Sequence, residues 1–300
     1  MSVMAQLDRW KRFEIPGRVA LTEGNGELPK IEVSTRQSTA EIYLHGAHVT
    51  GFQKTGEPPL LFTSQFSRFA SNQPIRGGAP IIFPWFGARE GEPAHGFARL
   101  ADWDLIETAT LPSGGATLHF SLPDVPEAAT WPPFAAYFIV TVTDQLSMEL
   151  VVVNASADQN FTFENCLHTY FAVGEISAVT VVGLKGATYQ DKVENFAQKT
   201  ENNDAVRIAS EVDRVFLDIQ SPIEIHDTTF KRVVRIEKSG SESTVIWNPW
   251  VAKAQQIPDF GTDEFRRMLC VETGNVGKNR INLPPGETAV LKVVISSRPA

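Results

Sequence analysis

The sequence is poor in cysteine and has no long apolar run. Cys166 and Cys270 are the only cysteines among 300 residues, which is too few for a disulfide framework. No apolar run approaches the roughly 20 residues that span a bilayer. Residues 1–17, MSVMAQLDRWKRFEIPG, lack the apolar region of a secretory signal. We therefore expect a protein of the reducing cytoplasm.

Motifs for nucleotides, metals and common hydrolases are also absent from the sequence. G-x-G-x-x-G, G-x-x-x-x-G-K-[ST], H-E-x-x-H, G-x-S-x-G and C-x-x-C do not occur. His45 and His48 lie three residues apart in HGAH, and in a strand this spacing sends the two rings to opposite faces. Nucleotide chemistry is therefore excluded, and a metal site at HGAH is disfavoured.

Positive charge is scarce relative to negative charge. Lys and Arg number 27 against 35 Asp and Glu, so the formal net charge is −8. Nucleic acids and anionic membranes are not attracted by such a field, and we expect neither as a partner. An anionic small molecule is compatible with this charge if a local basic cluster overcomes it. We expect a monomer.

Alternation of apolar and polar residues with a period of two is abundant. It predicts strands at residues 30–35, 40–52, 115–122, 137–143, 145–156 and 288–297. Helical patterns are confined to residues 64–69 and 262–268. Many antiparallel strands without helices must pack as two sheets. We predict an all-β protein, in which residues 1–300 form a single large antiparallel β-sandwich with few short helices and a concave side for a ligand.

The segment IRGGAPIIFPWFGAREGEPAHGFARL, residues 75–100, contains too many glycines and prolines for a regular element. Arg76 precedes two glycines, which permit positive φ and exposed N–H groups, and Arg99 lies near the end. Two guanidinium groups in one loop suit a phosphate or carboxylate. A solvated arginine or a rim ion pair is the alternative for each. His95, a loop histidine near arginines, is a further candidate.

Trp85 in FPWFG and Trp247 in WNPW are aromatic candidates. An indole often forms the floor under a sugar ring, and it is equally often a buried core side chain. Both interpretations stay open for each tryptophan.

Two strand-like segments carry titratable groups on one face. In residues 161–174, FTFENCLHTYFAVG, His168 and Tyr170 point the same way. In residues 267–275, RMLCVETGN, Glu272 lies at the end of an apolar strand, where burial would raise its pKa above about 4.3. A histidine at a sheet edge and a rim glutamate are the alternatives. A carboxylate and an imidazole in one cleft would form a general base and a general acid.

The motifs IRGGAPIIFPWFG, PAHGFAR, LHTYFAVG, DRVF and VETGN occur in this order between residues 75 and 275. Together they resemble the hexose-6-phosphate mutarotase branch of the aldose 1-epimerase family, and the arginine pattern is specific to that branch. The resemblance covers nearly the whole chain. It implies the galactose mutarotase-like super-sandwich, with neither a metal nor an organic cofactor.

The resemblance also implies a role for single residues. Glu272 would be the base and His168 the acid. The other positions would contact the substrate: His95 at the ring oxygen or anomeric hydroxyl, Asp213 of DRVF at sugar hydroxyls, and Arg76 and Arg99 at the phosphate.

The implied reaction interconverts α and β anomers of a hexose 6-phosphate by acid–base ring opening. Glu272 should raise the pKa of the neighbouring His168, and the pair should give a bell-shaped pH profile. Two other functions stay open. One is a glycoside hydrolase or lyase on a similar sandwich, with Asp213 or Glu164 as a second carboxyl group. The other is a non-catalytic sugar-phosphate binding module.

Overall fold

The computed structural model describes residues 8–300, so residues 1–7, part of the N-terminal segment and of the domain predicted above, lie outside the described residues. The described chain is mostly strand. The strands are β1 Val19–Glu23, β2 Pro29–Ser34, β3 Ser38–Tyr43, β4 His48–Lys54, β5 Ile81–Ile82, β6 Asp104–Thr110, β7 Ala116–Ser121, β8 Phe134–Val142, β9 Leu146–Asn154, β10 Phe161–Phe163, β11 Asn165–Leu167, β12 Tyr170–Ala172, β13 Val179–Val182, β14 Thr188–Asp191, β15 Ala197–Thr200, β16 Ala205–Arg207, β17 Val212–Leu217, β18 Ile223–Asp227, β19 Arg232–Ser239, β20 Ser243–Asn248, β21 Met268–Asn275, β22 Ile281–Leu283 and β23 Thr288–Pro299.

Helices are short and lie between strands. From residue 8 onward there is one α-helix, α1, at Trp250–Ala254. The 3-10 helices are Lys11–Phe13, Asn25–Glu27, Ala98–Leu100, Pro126–Ala128, Ile176–Ala178, Glu264–Arg267 and Gly277–Asn279. None of these helices has the length and apolar character needed to cross a membrane.

The strands form two large antiparallel sheets and two small ones. The nine-stranded sheet has the order β16-β13-β18-β19-β23-β9-β8-β7-β6. The eight-stranded sheet has the order β15-β14-β17-β20-β21-β11-β5, and β12 also pairs with β21. A four-stranded sheet, β1 to β4, and the pair β10-β22 complete the fold. The predicted all-β antiparallel sandwich is confirmed.

One cluster of buried apolar side chains joins the sheets. It includes Leu150 and Val293 from the nine-stranded sheet, Leu269 and Val271 from the eight-stranded sheet, and Ile42 from the four-stranded sheet. The nine-stranded sheet supplies this core by strict alternation, because every second residue of β9 is buried. The core is continuous across these three sheets, and the single domain stays a prediction.

Three local predictions need correction. Residues 40–52 are not one strand, because a turn at residues 44–47 separates β3 from β4. Residues 64–69 form irregular chain with a turn at residues 65–66 rather than helix. The segment 161–174 is divided into β10, β11 and β12, since its middle residues leave one partner strand and join another. The helical prediction at 262–268 is confirmed by the short helix Glu264–Arg267.

Candidate active site

The eight-stranded sheet has one face on the core and the other on a pocket. Leu269 and Val271 of β21 point into the core, so Cys270 and Glu272 point to the opposite face, as the sequence predicted. The loops that cover this second face leave every residue of β21 buried. This central strand therefore shows no alternation, although its two faces have different functions.

Two rows of side chains across the sheet form the pocket floor. One row follows the register through Asp213 (β17), Trp247 (β20), Cys270 (β21) and Tyr170 (β12). The next row contains Val215, Val245 and Glu272. His168 precedes Tyr170 by two residues and lies on the same side, with the two rings stacked at 4.8 Å. Strand pairing thus places His168 beside Glu272.

Glu272 and His168 form a buried contact pair. His168 Nε2 lies 3.2 Å from Glu272 Oε1, and only 1% of Glu272 is exposed. The Cys166 thiol donates to Glu272 Oε2 at 3.6 Å, and burial raises the pKa of this thiol well above its usual value, which keeps the proton on sulfur. The thiol thereby holds Oε2 of Glu272, and Oε1 faces the imidazole.

Burial determines the protonation of this pair. It raises the pKa of Glu272 well above 4.5, with a further contribution from the negative charge of Asp213, which confirms the predicted direction. Burial also lowers the pKa of His168 well below 6.5, and the neighbouring His95, Arg99 and Arg76 act in the same direction. The expected rise of the His168 pKa is therefore wrong, because burial and the neighbouring cations lower it.

His95 faces His168 across the pocket, with 5.7 Å between ring centroids. Its backbone has φ of +67°, an uncommon conformation for a side-chain-bearing residue. The Gly87 N–H donates to His95 Nδ1 at 3.3 Å, so Nε2 carries the proton of the neutral ring. Burial, together with the charges of Arg99, Lys192 and Arg76, lowers the pKa of His95 to about 3. His95 is thus a neutral hydrogen-bond donor.

Arg76 lines the pocket and is held by two partners. Its Nε donates to Asp259 Oδ1 at 3.2 Å, and its Nη1 donates to the Tyr170 hydroxyl at 3.3 Å. Burial opposes its charge, but Tyr170 and Asp259 outweigh burial and raise its pKa. The following glycines do take positive φ, +118° at Gly77 and +60° at Gly78. The expected exposure of their N–H groups fails at Gly78, whose N–H donates to the carbonyl of Phe62.

Arg99 lies behind the pocket wall. Only 9% of it is exposed, and its Nη2 donates to the carbonyl of Ala94 at 2.7 Å. Its Nε has no hydrogen-bond partner, and among residues 8–300 no carboxylate lies within ion-pair distance of it. Burial lowers the pKa of Arg99 to about 10, and the positive charge of Arg76 contributes. Arg99 is a buried cation without a contacting carboxylate, and Asp259 and Glu272 compensate its charge only from a distance.

Asp213 and Trp247 also line the pocket. Asp213 Oδ2 lies 3.0 Å from Lys192 Nζ. The Trp247 ring lies 6.1 Å from His168 and 5.9 Å from Tyr170, edge to face in both cases. The structure therefore brings Arg76, His95, His168, Asp213, Trp247 and Glu272 together around one cavity of about 130 Å³.

Trp85 is not part of this group. It is buried, its ring stacks on Trp131 at 6.1 Å, and its Nε1 donates to the carbonyl of Pro93. This placement corresponds to the core alternative and does not support the predicted contact with substrate. Glu164 is also unavailable as a second catalytic carboxyl group, because its oxygens accept from the backbone N–H groups of Phe86 and Gly277.

A larger cavity of about 590 Å³ lies at the β19–β20 turn. It is lined by none of the predicted site residues, and it lacks a contacting acid–base pair, so we place the chemistry in the smaller pocket. Within the described residues, the donor atoms close enough to share a metal ion belong to His168, Cys270 and Glu272, all within 4.8 Å of one another. The same Glu272 and His168 atoms suit proton transfer as well as they suit metal binding.

Comparison with known proteins decides the family. A family model described as aldose 1-epimerase matches residues 29–296. The chain belongs to the aldose 1-epimerase family. It is therefore an isomerase, and all residues of the pocket lie inside the matched range.

Curated relatives of this epimerase carry the provisional name glucose-6-phosphate 1-epimerase. One from Cenchrus ciliaris is 35% identical over 274 residues, which cover 88% of this chain and 83% of the relative. One from Escherichia coli is 33% identical over 253 residues, 82% of this chain and 83% of the relative.

Solved structures show the same fold. The crystal structure of YeaD from Salmonella typhimurium, provisionally described as a mutarotase, has a TM-score of 0.88 at 27% identity and covers 98% of this chain and 100% of that one. Galactose 1-epimerase from Lactobacillus acidophilus has a TM-score of 0.69 at 14% identity, covering 94% and 99%. The galactose mutarotase-like architecture of the epimerase is thus confirmed.

Two polar residues that line the pocket, Lys192 and Tyr170, and the Arg76 partner Asp259 were not predicted as site residues. Lys192 follows β14 in an ordinary polar turn, Asp259 lies in the loop after α1, and Tyr170 was noted only for sharing a face with His168. No local pattern marks Lys192 or Asp259, because each is identified by a partner far away in sequence. Tyr170 could have been included from its i, i+2 spacing to His168.

Proposed function

We propose that this epimerase interconverts the α and β anomers of hexose 6-phosphates, with glucose 6-phosphate as a substrate. The observation that carries the proposal is the buried 3.2 Å contact between His168 Nε2 and Glu272 Oε1, in a pocket that also contains Arg76. An acid and a base in contact suit the opening of a hemiacetal ring. The names of the relatives support the choice of substrate.

The two arginines support a site for the phosphate. Arg99 is buried without a carboxylate partner, and Arg76 adds a second positive charge that disfavours it. A phosphate dianion beside them would relieve this repulsion and would accept charge-assisted hydrogen bonds from planar donors. The phosphate then fixes the orientation of the sugar, so that its anomeric carbon meets Glu272 and His168.

The chemical step is a proton exchange at two oxygens of the sugar. Glu272 takes the proton of the C1 hydroxyl while His168 gives a proton to the ring oxygen, and the ring opens to the aldehyde. Rotation about the C1–C2 bond presents the other face of the carbonyl. The reverse transfers close the ring as the other anomer and restore both side chains.

The location of the shared proton depends on the substrate. The pair shares one proton, which lies either on Glu272 or on His168. In the free pocket, burial favours the uncharged form, in which Glu272 is protonated and His168 is neutral. The phosphate offsets the charges of Arg76 and Arg99, which lower the pKa of His168. Substrate binding thus moves the proton toward His168 and generates the working acid and base.

His95 would assist at the same carbon. Because the Gly87 N–H occupies Nδ1, the Nε2–H of the neutral ring is available to donate to the ring oxygen or the anomeric hydroxyl. Its pKa of about 3 keeps it neutral across the physiological range. Asp213 and Trp247 would bind the hydroxyls and one face of the sugar.

Exchange NMR between the anomers of glucose 6-phosphate tests the proposal. We expect a rate well above that in buffer, and a smaller acceleration for glucose, which lacks the phosphate. Equal rates with and without protein would leave only a binding module. Release of reducing ends from an oligosaccharide would indicate the glycosidase alternative.

We also propose that the enzyme is a cytoplasmic monomer. Support comes from Cys166 and Cys270, which are buried free thiols and suit a reducing compartment. Size-exclusion chromatography with light scattering measures the oligomeric state directly.

A further inference from the structure

We propose that Lys192 is a positioning residue for the acid–base pair. Its ammonium group, fixed against Asp213, offsets the charge of that carboxylate and so allows Asp213 and Glu272 to work in one pocket. This inference rests on the proposed function and adds to it a residue that controls the charge of the base.

Lys192 is held in place by three contacts. Its backbone N–H donates to the Asp213 carbonyl at 2.8 Å, and its Nζ lies 3.0 Å from Asp213 Oδ2. The ammonium also lies over the Phe86 ring, 5.4 Å from the centroid, in a favourable cation–π position. A long flexible side chain is thereby restricted to the pocket wall, where both it and Asp213 are lining residues.

Asp213 and Glu272 need this compensation because they share one face of the sheet. Asp213 is in line with Trp247 and Cys270 across β20 and β21, and Glu272 is two residues beyond Cys270. Two carboxylates in a common site disfavour each other's ionisation, and exclusion of water strengthens the effect. An ammonium group in contact with Asp213 on the pocket wall offsets this repulsion.

The other groups facing Glu272 have different roles, although the Cys166 hydrogen bond and the Arg99 charge also lower its pKa. His168 is the proton partner, and Cys166 and Cys270 are buried neutral thiols. Arg99 does not line the pocket in the free protein. Asp213 raises the pKa of Glu272 and Lys192 lowers it, after the dominant effect of burial. Lys192 is therefore the pocket-lining cation that pairs directly with the carboxylate opposing ionisation of Glu272.

The test is the pH dependence of kcat for three variants. Lys192→Met removes a positive charge, which favours an additional proton on the pair, so both limbs of the profile should move to higher pH, by roughly half to one unit. Asp213→Asn should move both limbs to lower pH. The double variant should return close to the wild-type limbs, because the two removed charges cancel.

Lys199→Met is the matched control. Lys199 lies in β15 of the same hairpin and pairs with Asp191, and its side chain is 32% exposed against 26% for Lys192. It does not line the pocket, so its substitution should leave the profile unmoved. A Lys192→Met profile that coincides with that of Lys199→Met would overturn the inference, and so would a change in KM alone.

Carbon NMR of the Glu272 carboxyl group provides a readout independent of turnover. Its signal is assigned by its loss in Glu272→Gln, and its titration should move to higher pH in Lys192→Met and not in Lys199→Met. If the wild type is inactive but the Glu272 titration still moves in Lys192→Met, the proposed function is wrong and the charge-balancing role of Lys192 stands. If the wild type is active but the titration does not move in Lys192→Met, the proposed function stands and the role of Lys192 is wrong.

Discussion

The two large sheets of this epimerase use similar strands in different ways. In the nine-stranded sheet, β9 alternates buried and partly exposed residues without exception and carries no pocket residue. In the eight-stranded sheet, β21 is buried at all eight positions and carries Glu272. In the same sheet, β5, β11 and β12 are only two or three residues long. One sheet provides a regular apolar layer, and the other uses its second face to desolvate polar groups.

The two sheets differ in whether their buried side chains stabilise the fold or serve proton transfer. A buried apolar side chain stabilises the fold by its removal from water, whereas a buried carboxylic acid beside an imidazole contributes little to stability and gains its value in proton transfer. Substitutions in the two sheets should therefore separate stability from catalysis.

Glu272→Gln should produce the largest effect. The amide has nearly the same shape but cannot accept the proton, so kcat should fall by roughly 10² to 10⁴. The melting temperature should change little, because the carboxyl group is already neutral in the free pocket. Exchange NMR and calorimetry on the same sample measure both quantities. A large loss of stability with kcat retained would show that Glu272 serves the fold.

Leu150→Ala in β9 should give the opposite pattern. Leu150 is fully buried in the core, and its truncation should lower the free energy of unfolding by roughly 2–5 kcal/mol. The kcat of the folded fraction should stay near wild type. Val151→Ala, on the partly exposed face of the same strand, is the control with a smaller loss in urea denaturation. A parallel fall in kcat for Leu150→Ala would mean that the sheets are coupled.

Arg76→Ala should change selectivity. Loss of a charge-assisted contact worth about 1.5–3 kcal/mol should raise KM for glucose 6-phosphate roughly tenfold or more, with little change for glucose. Arg89→Ala is the matched control, since Arg89 belongs to the same loop but lies over the Trp85 ring outside the pocket. Steady-state kinetics on both sugars decide the matter, and an equal rise for both would remove the phosphate site.

The wild-type pH profile should show the smallest but most diagnostic effect. Activity requires one proton on the pair. A second proton binds only below the lowered pKa of His168, on the acid side of 6.5, and the last proton leaves only above the raised pKa of Glu272, on the alkaline side of 4.5. The kcat/KM profile, which reports the free enzyme, should therefore be a bell with its acid limb below pH 6.5 and its alkaline limb above pH 4.5. An acid limb centred above 6.5 would show that the carboxylate dominates over burial.

The regular sheet was predictable from sequence and the irregular one only in part. The strands 288–297 and 145–156 were found because one face of each meets the core, which imposes a period of two. Residues 161–174 read as one strand because their side-chain directions alternate, but the pairing changes along the segment. Such exchanges depend on partner strands distant in sequence, and no local pattern reports them.

The residues of the site also differ in whether the sequence could predict them. His168 and Glu272 carried local signals and a family resemblance. Lys192 and Asp259 function through Asp213 and Arg76, and Asp259 is 183 residues from Arg76. The direction of the His168 pKa shift could not be deduced from composition, because it depends on the depth of burial, which only the assembled sheet provides. Trp85 illustrates the converse, a strong motif residue that packs inside the core.

The Arg76–Asp259 contact also bears on how activity arises during biosynthesis. Because the arginine is translated long before its anchoring carboxylate, and Glu272 follows later still, an incomplete nascent chain holds neither a fixed anion receptor nor its proton acceptor. Turnover should therefore appear abruptly, once the ribosome has released the last strands, and the rate of its appearance would report completion of the entire sandwich.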